Sequence, residues 1–149
     1  MIKIIRKDSS NKDFRTLVSS LDAYLAETDG EEHMFYNQFN SSVDLKYVII
    51  AYEDGEAVGC GALKEYLPKV LEIKRMYVSP NQRGKGIATK ILVDLESWAH
   101  EQGCEKCILE TGKKQHAAVI LYKSNGYKII PSYGQYVHIE NSLCFEKKL

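Results

Sequence analysis

The chain has 149 residues, 44% of them hydrophobic and 27% charged, which is the size and balance of one globular domain, residues 1–149, with a packed core. Lys plus Arg equals Asp plus Glu at 20 each, so no global basic field exists for nucleic acid or an anionic membrane, and any cationic function is local. Nothing apolar approaches the roughly 20 residues that span a bilayer, no secretory h-region opens the chain, and four scattered cysteines make no disulfide scaffold; the expectation is a cytoplasmic protein with no membrane or nucleic-acid partner.

Residues 2–6 read as a short strand. Phe14, Leu17, Val18, Leu21 and Leu25 then recur at helical spacing up to Gly30, and a second short helix is expected over Glu31–Phe39, carrying Met34, Phe35 and Phe39. Tyr47–Glu53 and Glu56–Tyr66 are β-rich runs separated by Asp54-Gly55, a dipeptide of two-residue hairpins, and Val70–Val78 is a third run between Pro68 and Pro80. From Ile87 the apolar positions 87, 88, 91, 92, 95, 98 and 99 make a helical stripe that stops at Gly103. Cys107–Glu110 reads as a buried strand, Ala117–Asn125 as a helix stopped by Gly126, and Tyr127–Ile130 and Ser142–Lys147 as two last strands. Strands that first cluster and then alternate with helices predict an α/β (α+β) fold. Its sheet would be mixed, and residues 70–111 would form a parallel, right-handed strand–helix–strand crossover.

The corner that opens the crossover helix, Ser79-Pro80-Asn81-Gln82-Arg83-Gly84-Lys85-Gly86-Ile87-Ala88, sets two glycines and two cations at a helix N-terminus. Glycine lets the main chain approach a ligand closely, and the first helical N–H groups, with the helix dipole, favour an anion. An ordinary basic turn is the plain alternative. A Walker loop is excluded because it needs four residues between Gly and Gly-Lys-Ser/Thr. The dinucleotide fingerprint fits less well: five residues separate Val78 from Gly84, and Thr89 stands where a third glycine or alanine belongs.

Arg83-Gly84-Lys85-Gly86-Ile87-Ala88 matches the Arg/Gln-x-x-Gly-x-Gly/Ala signature of the GNAT superfamily of acyl-CoA-dependent N-acetyltransferases. Val70–Pro80 resembles that family's fourth strand and its exit, Leu109-Glu110-Thr111 its fifth strand, and Ala118–Tyr127 its Ala-x-x-x-Tyr-x-x-x-Gly-Phe/Tyr helix. The likeness covers about residues 65–130, and the tail from Ile130 to Lys147 looks like a small bacterial subgroup. It implies the GNAT fold, with a mixed, mostly antiparallel central sheet of six to seven strands and helices on both faces. It also implies acetyl-CoA as cosubstrate without a metal. Loop amides at Arg83, Gly84, Lys85, Gly86, Ile87 and Ala88 would hold the coenzyme A pyrophosphate, and Met76, Tyr77 and Val78 would run beside pantetheine where strands four and five splay. Gln115 stands where many relatives carry Asn, seven residues before Tyr122.

Acetyl transfer to an amine needs a base, an oxyanion site and a proton for the thiolate. An alkylamine of pKa near 10.4 is only about one part in a thousand nucleophilic at neutral pH. The resemblance implies Glu72 as the base, a main-chain N–H around Met76 or Tyr77 for the oxyanion, and Tyr122 as the acid. Strand alternation would put Glu72, Lys74, Met76 and Val78 on one face. The plain readings are a Glu72–Lys74 salt bridge on the sheet and a core tyrosine at 122. No cysteine is placed as an acyl carrier, which favours direct transfer in a ternary complex.

The acceptor is expected to be a small-molecule amine, with His33, Tyr36, Asn37 and Tyr133, beside Gln38 and Tyr136, bordering its cleft. A protein lysine or N-terminal acetyltransferase and a non-catalytic acyl-CoA-binding module are the alternatives. Cys104-x-x-Cys107 lacks further ligands at zinc spacing, the four histidines are not grouped, and the reading leaves room for a homodimer.

Overall fold

The computed structural model describes residues 1–29 and 44–149. The expected helix over residues 31–39, with His33, Tyr36, Asn37 and Gln38, lies outside the described residues, as does Gly30. Strands β1 (Ile2–Lys7), β2 (Tyr47–Glu53), β3 (Glu56–Leu67), β4 (Val70–Val78), β5 (Lys106–Gly112), β6 (Lys128–Ile130) and β7 (Ser142–Lys148) alternate with helices α1 (Lys12–Asp29), α2 (Ile87–Glu101) and α3 (His116–Ser124). The sheet order is β1-β2-β3-β4-β5-β7-β6, antiparallel throughout except for the parallel pair β4–β5.

Local chemistry accounts for the boundaries. Asn11 Oδ1 accepts the Phe14 N–H at 3.1 Å and so caps α1. The β2–β3 hairpin turns on Asp54 (φ 50°) and Gly55 (φ 84°), the positive pair that a type I′ turn demands. Beyond α2, Gly103 (φ 81°) turns the chain so that Cys104 N–H reaches the Ala99 carbonyl at 3.1 Å. β5 is longer than its apolar run because its full length, through Gly112, pairs with β7.

Helices cover both faces of the sheet. Ile91, Leu92 and Leu95 of α2 and Tyr122 of α3 pack with Ile49, Leu63, Ile73 and Phe145; Phe14, Leu17 and Leu21 of α1 pack with Val48, Ile50, Ala62 and Tyr77. Burying each such aliphatic side chain contributes about 1.5–3 kcal/mol. Gly61, on the α2 side of β3, has no room for a larger residue: a Cβ there would lie 2.7 Å from Met76 Sδ and 2.9 Å from both Ile91 and Leu95.

Alternation along β4 departs from the expectation. Arg75 has φ 58°, and the β3 register shifts so that Cys60 faces Tyr77 while Ala62 faces Lys74. This bulge reverses the faces beyond it. Leu71, Ile73, Met76 and Val78 pack under α2, whereas Tyr77 packs under α1, so Glu72 and Lys74 do not share a face with Met76 and Val78.

Candidate active site

Pairing between β4 and β5 begins at Val70–Lys106 and ends at Glu72–Ile108, although β4 continues to Val78 and β5 to Gly112. The strands therefore part, and a cleft of about 410 Å³ opens between them. Met76, Tyr77 and Val78 border it on one side and Glu110, Thr111 and Gly112 on the other. Leu21, Tyr24 and Leu25 of α1 and Ala118, Leu121 and Tyr122 of α3 supply further walls.

The 83–88 corner closes one end of this cleft. A single 3-10 turn, Pro80–Gln82, leads into it, and Gly86 (φ 78°) caps α2 without any side-chain hydrogen bond to the first helical amides. Gly84 (φ 80°) and Gly86 have nothing within 4 Å of where a Cβ would stand, so the main chain is bare on that side. Both glycines hold a backbone that L-residues resist, and a side chain at either would stand in the open corner. Arg83 Nε donates to the Val78 carbonyl at 3.0 Å, and its guanidinium lies 5.2 Å from the Tyr24 ring centre and 5.9 Å from that of Tyr77. Lys85 turns to the rim, bonding Gln82 Oε1 at 2.7 Å and lying 3.5 Å from Glu53.

Two expected site residues are buried along the cleft. Gln115 is 8% exposed, and its Nε2 has no hydrogen-bond partner among the described residues, a cost that a polar ligand would relieve. Tyr122 is 6% exposed beside Tyr127 and Phe145, and burial, then Glu110, raises its phenol well above the usual range. Burial thus favours the protonated form of this phenol.

Glu72 sits at the neck of the splay, 5% exposed. Tyr133 O–H donates to its Oε2 at 2.6 Å, and Lys74 Nζ is 4.0 Å from its Oε1. Tyr133 thus reaches the site through Glu72 and does not line the cleft itself. The Glu72–Lys74 pair exists, but buried at the cleft and not on an open sheet surface. Burial lowers the Lys74 pKa, with Glu72 and Glu110 opposing that fall. Glu110, which carried no role in the sequence reading, lines the cleft and accepts a 2.6 Å bond from Ser142 Oγ. Arg75 also escaped notice; its side chain is buried against Asp22 of α1 at 2.6 Å. The visible signal for Arg75 was a run of charges inside an apolar strand, and for Glu110 a lone charge at the end of one.

Among the described residues no group of His, Cys, Asp and Glu is arranged to hold a metal, and all four cysteines are free thiols. Burial pushes Cys107 up to about 12 and raises Cys104, so neither thiol of the C-x-x-C is activated. No described helix is long and apolar enough to cross a membrane.

The profile of the Acetyltransferase (GNAT) family matches residues 13–127. An "IAA acetyltransferase" of Azospirillum brasilense is 32% identical over 136 residues, covering 89% of this chain and 88% of the relative. The N-acetyltransferase YsnE of Bacillus subtilis, uncharacterised, is 37% identical over 66% of this chain and 67% of its own. A Klebsiella pneumoniae structure assigned as an acyl-CoA N-acyltransferase superposes with TM-score 0.84 at 30% identity, covering 100% of this chain and 98% of that one. The fold also matches the PaiA N-acetyltransferase of Thermoplasma acidophilum, solved with coenzyme A, at TM-score 0.71 and 20% identity over 100% of this chain and 99% of that one.

Proposed function

The chain belongs to the acetyltransferase (GNAT) family of acyl-CoA-dependent N-acetyltransferases, and from that premise we propose that it moves an acetyl group from acetyl-CoA to a primary amine of a small molecule by direct transfer. The observation that carries this reading is the parting of β4 and β5 beyond Glu72, with a glycine-lined helix N-terminus at one end and a buried carboxylate at the other. Acetyl-CoA, when bound, supplies an activated thioester carbonyl.

In this reading the amides of residues 83–88 hold the pyrophosphate, since Gly84 and Gly86 leave the main chain open there. Gln115 offers its unpartnered Nε2 to the pantetheine amides. Met76 and Tyr77, at the bulge, present main-chain N–H to the developing oxyanion. Glu72 takes the proton of the acceptor ammonium. As the new C–N bond forms, the C–S bond breaks with its electron pair on sulfur, Tyr122 steadies the thiolate through its O–H, and the second proton shed by the nitrogen passes to that sulfur.

Exchange of Glu72 for Gln should lower kcat about 100-fold or more at neutral pH, and Tyr122→Phe about tenfold, with acetyl-CoA affinity retained in both. Thiol release from acetyl-CoA, with phenethylamine, putrescine and lysine as acceptors, measures this. Unchanged rates in both variants would remove the catalytic assignment.

A further inference from the structure

The two oxygens of the Glu72 carboxylate are held differently. Oε2 accepts the 2.6 Å bond from Tyr133, whereas Oε1 lies 4.0 Å from the Lys74 ammonium, an ion-pair separation beyond direct hydrogen bonding. Tyr133 is braced in turn: its ring meets Tyr66 edge-on at 5.1 Å and Tyr136 at 5.7 Å and 90°. Lys74 Nζ is 3.4 Å from the Tyr136 hydroxyl. A loop that follows β6 therefore reaches across to β4 and grips a carboxylate that lines the cleft.

We propose that Tyr133 and Lys74 are the positioning residues of Glu72, Tyr133 fixing Oε2 so that Oε1 faces the acceptor amine, and Lys74 supplying the counter-charge beside that oxygen. The inference rests on Glu72 being the base. Its sense follows from the charges around the group. Lys64 stands opposite on β3, Lys74 and Arg75 lie on β4, Glu110 comes from β5, Cys144 from β7, and Tyr133 and Tyr136 from the loop. Arg75 is already matched to Asp22, and Lys74 is the cation within ion-pair distance of Glu72. The Tyr133 O–H and the Lys74 ammonium are the complement of a carboxylate, the form that accepts the ammonium proton. That proton passes to Oε1 and from there to solvent.

The test is a carboxyl ¹³C NMR titration of glutamate-labelled protein saturated with acetyl-CoA, the Glu72 signal being identified by its loss in Glu72→Gln. Tyr133→Phe and Lys74→Met should each raise the Glu72 midpoint by about one pH unit, and Lys74→Arg should leave it within a few tenths. The acidic limb of kcat/KM should move with it. A midpoint unmoved in Tyr133→Phe, or one that rises as far in Lys74→Arg as in Lys74→Met, overturns the proposal. Failure of the base assignment reads differently: Glu72→Gln would then keep full thiol release wherever the midpoints lie. Tyr133→Phe removes only a hydroxyl, and the Lys74 pair gives an independent reading should that variant fold poorly.

Discussion

At residue 86 the backbone stands at φ 78°, and the space a side chain would occupy is clear of protein atoms. Two effects of a substitution can therefore be separated. Gly86→Ala should cost about 1 kcal/mol of stability from its left-handed backbone, since no protein contact is crowded. Gly86→Glu should add to that cost a loss of acetyl-CoA binding, because its side chain and charge would fill the bare corner. Chemical denaturation and calorimetry distinguish the two effects; a Gly86→Glu protein that binds acetyl-CoA normally would show that the corner is not the diphosphate site. The same scale shows what a sequence carries well. The glycines and Arg83 were legible because their chemistry is local to six consecutive residues. Tyr133 was read as an acceptor contact, and its hydrogen bond to Glu72 was not visible, because the two are 61 positions apart and only the fold joins them.

The secondary-structure elements divide in the same way. β4 was bounded correctly at Val70–Val78 by its flanking prolines, and α2 by its apolar stripe and Gly103. The bulge at Arg75 was not legible: a positive φ at a non-glycine residue leaves no mark in a period-two pattern, so the faces of Met76, Tyr77 and Val78 were assigned the wrong way round. The splay was expected from the family likeness alone, and the register places it: β5 keeps β7 as a partner through Gly112 after leaving β4 at Ile108. α2 and β3 offer a test of this packing. Gly61→Ala should destabilise by about 1–3 kcal/mol, because Ile91 and Leu95 both stand 2.9 Å from the added carbon and Met76 Sδ is closer still. Denaturant unfolding measures the change; a neutral result would mean that α2 shifts freely against the sheet. Such freedom would also loosen Met76, one of the residues proposed to meet the oxyanion.

For the molecule as a whole, a balanced charge of 20 cations and 20 anions leaves little long-range attraction for a polyanionic ligand, so the proposed recognition rests on the shape of the cleft and the amides at its end. Among the described residues, the sheet order β1-β2-β3-β4-β5-β7-β6 places that cleft at the parallel β4–β5 junction, where the strand pairing fails. An ATP or dinucleotide site would need other loops: five residues separate β4 from Gly84, and the cleft runs between strands rather than across their ends. Parallel calorimetric titrations of the protein with acetyl-CoA, NADH and ATP test this most directly. Binding of acetyl-CoA alone, abolished in Gly86→Glu, is the expected result; binding of NADH or ATP in preference to acetyl-CoA, or acetyl-CoA binding that survives Gly86→Glu, would contradict it.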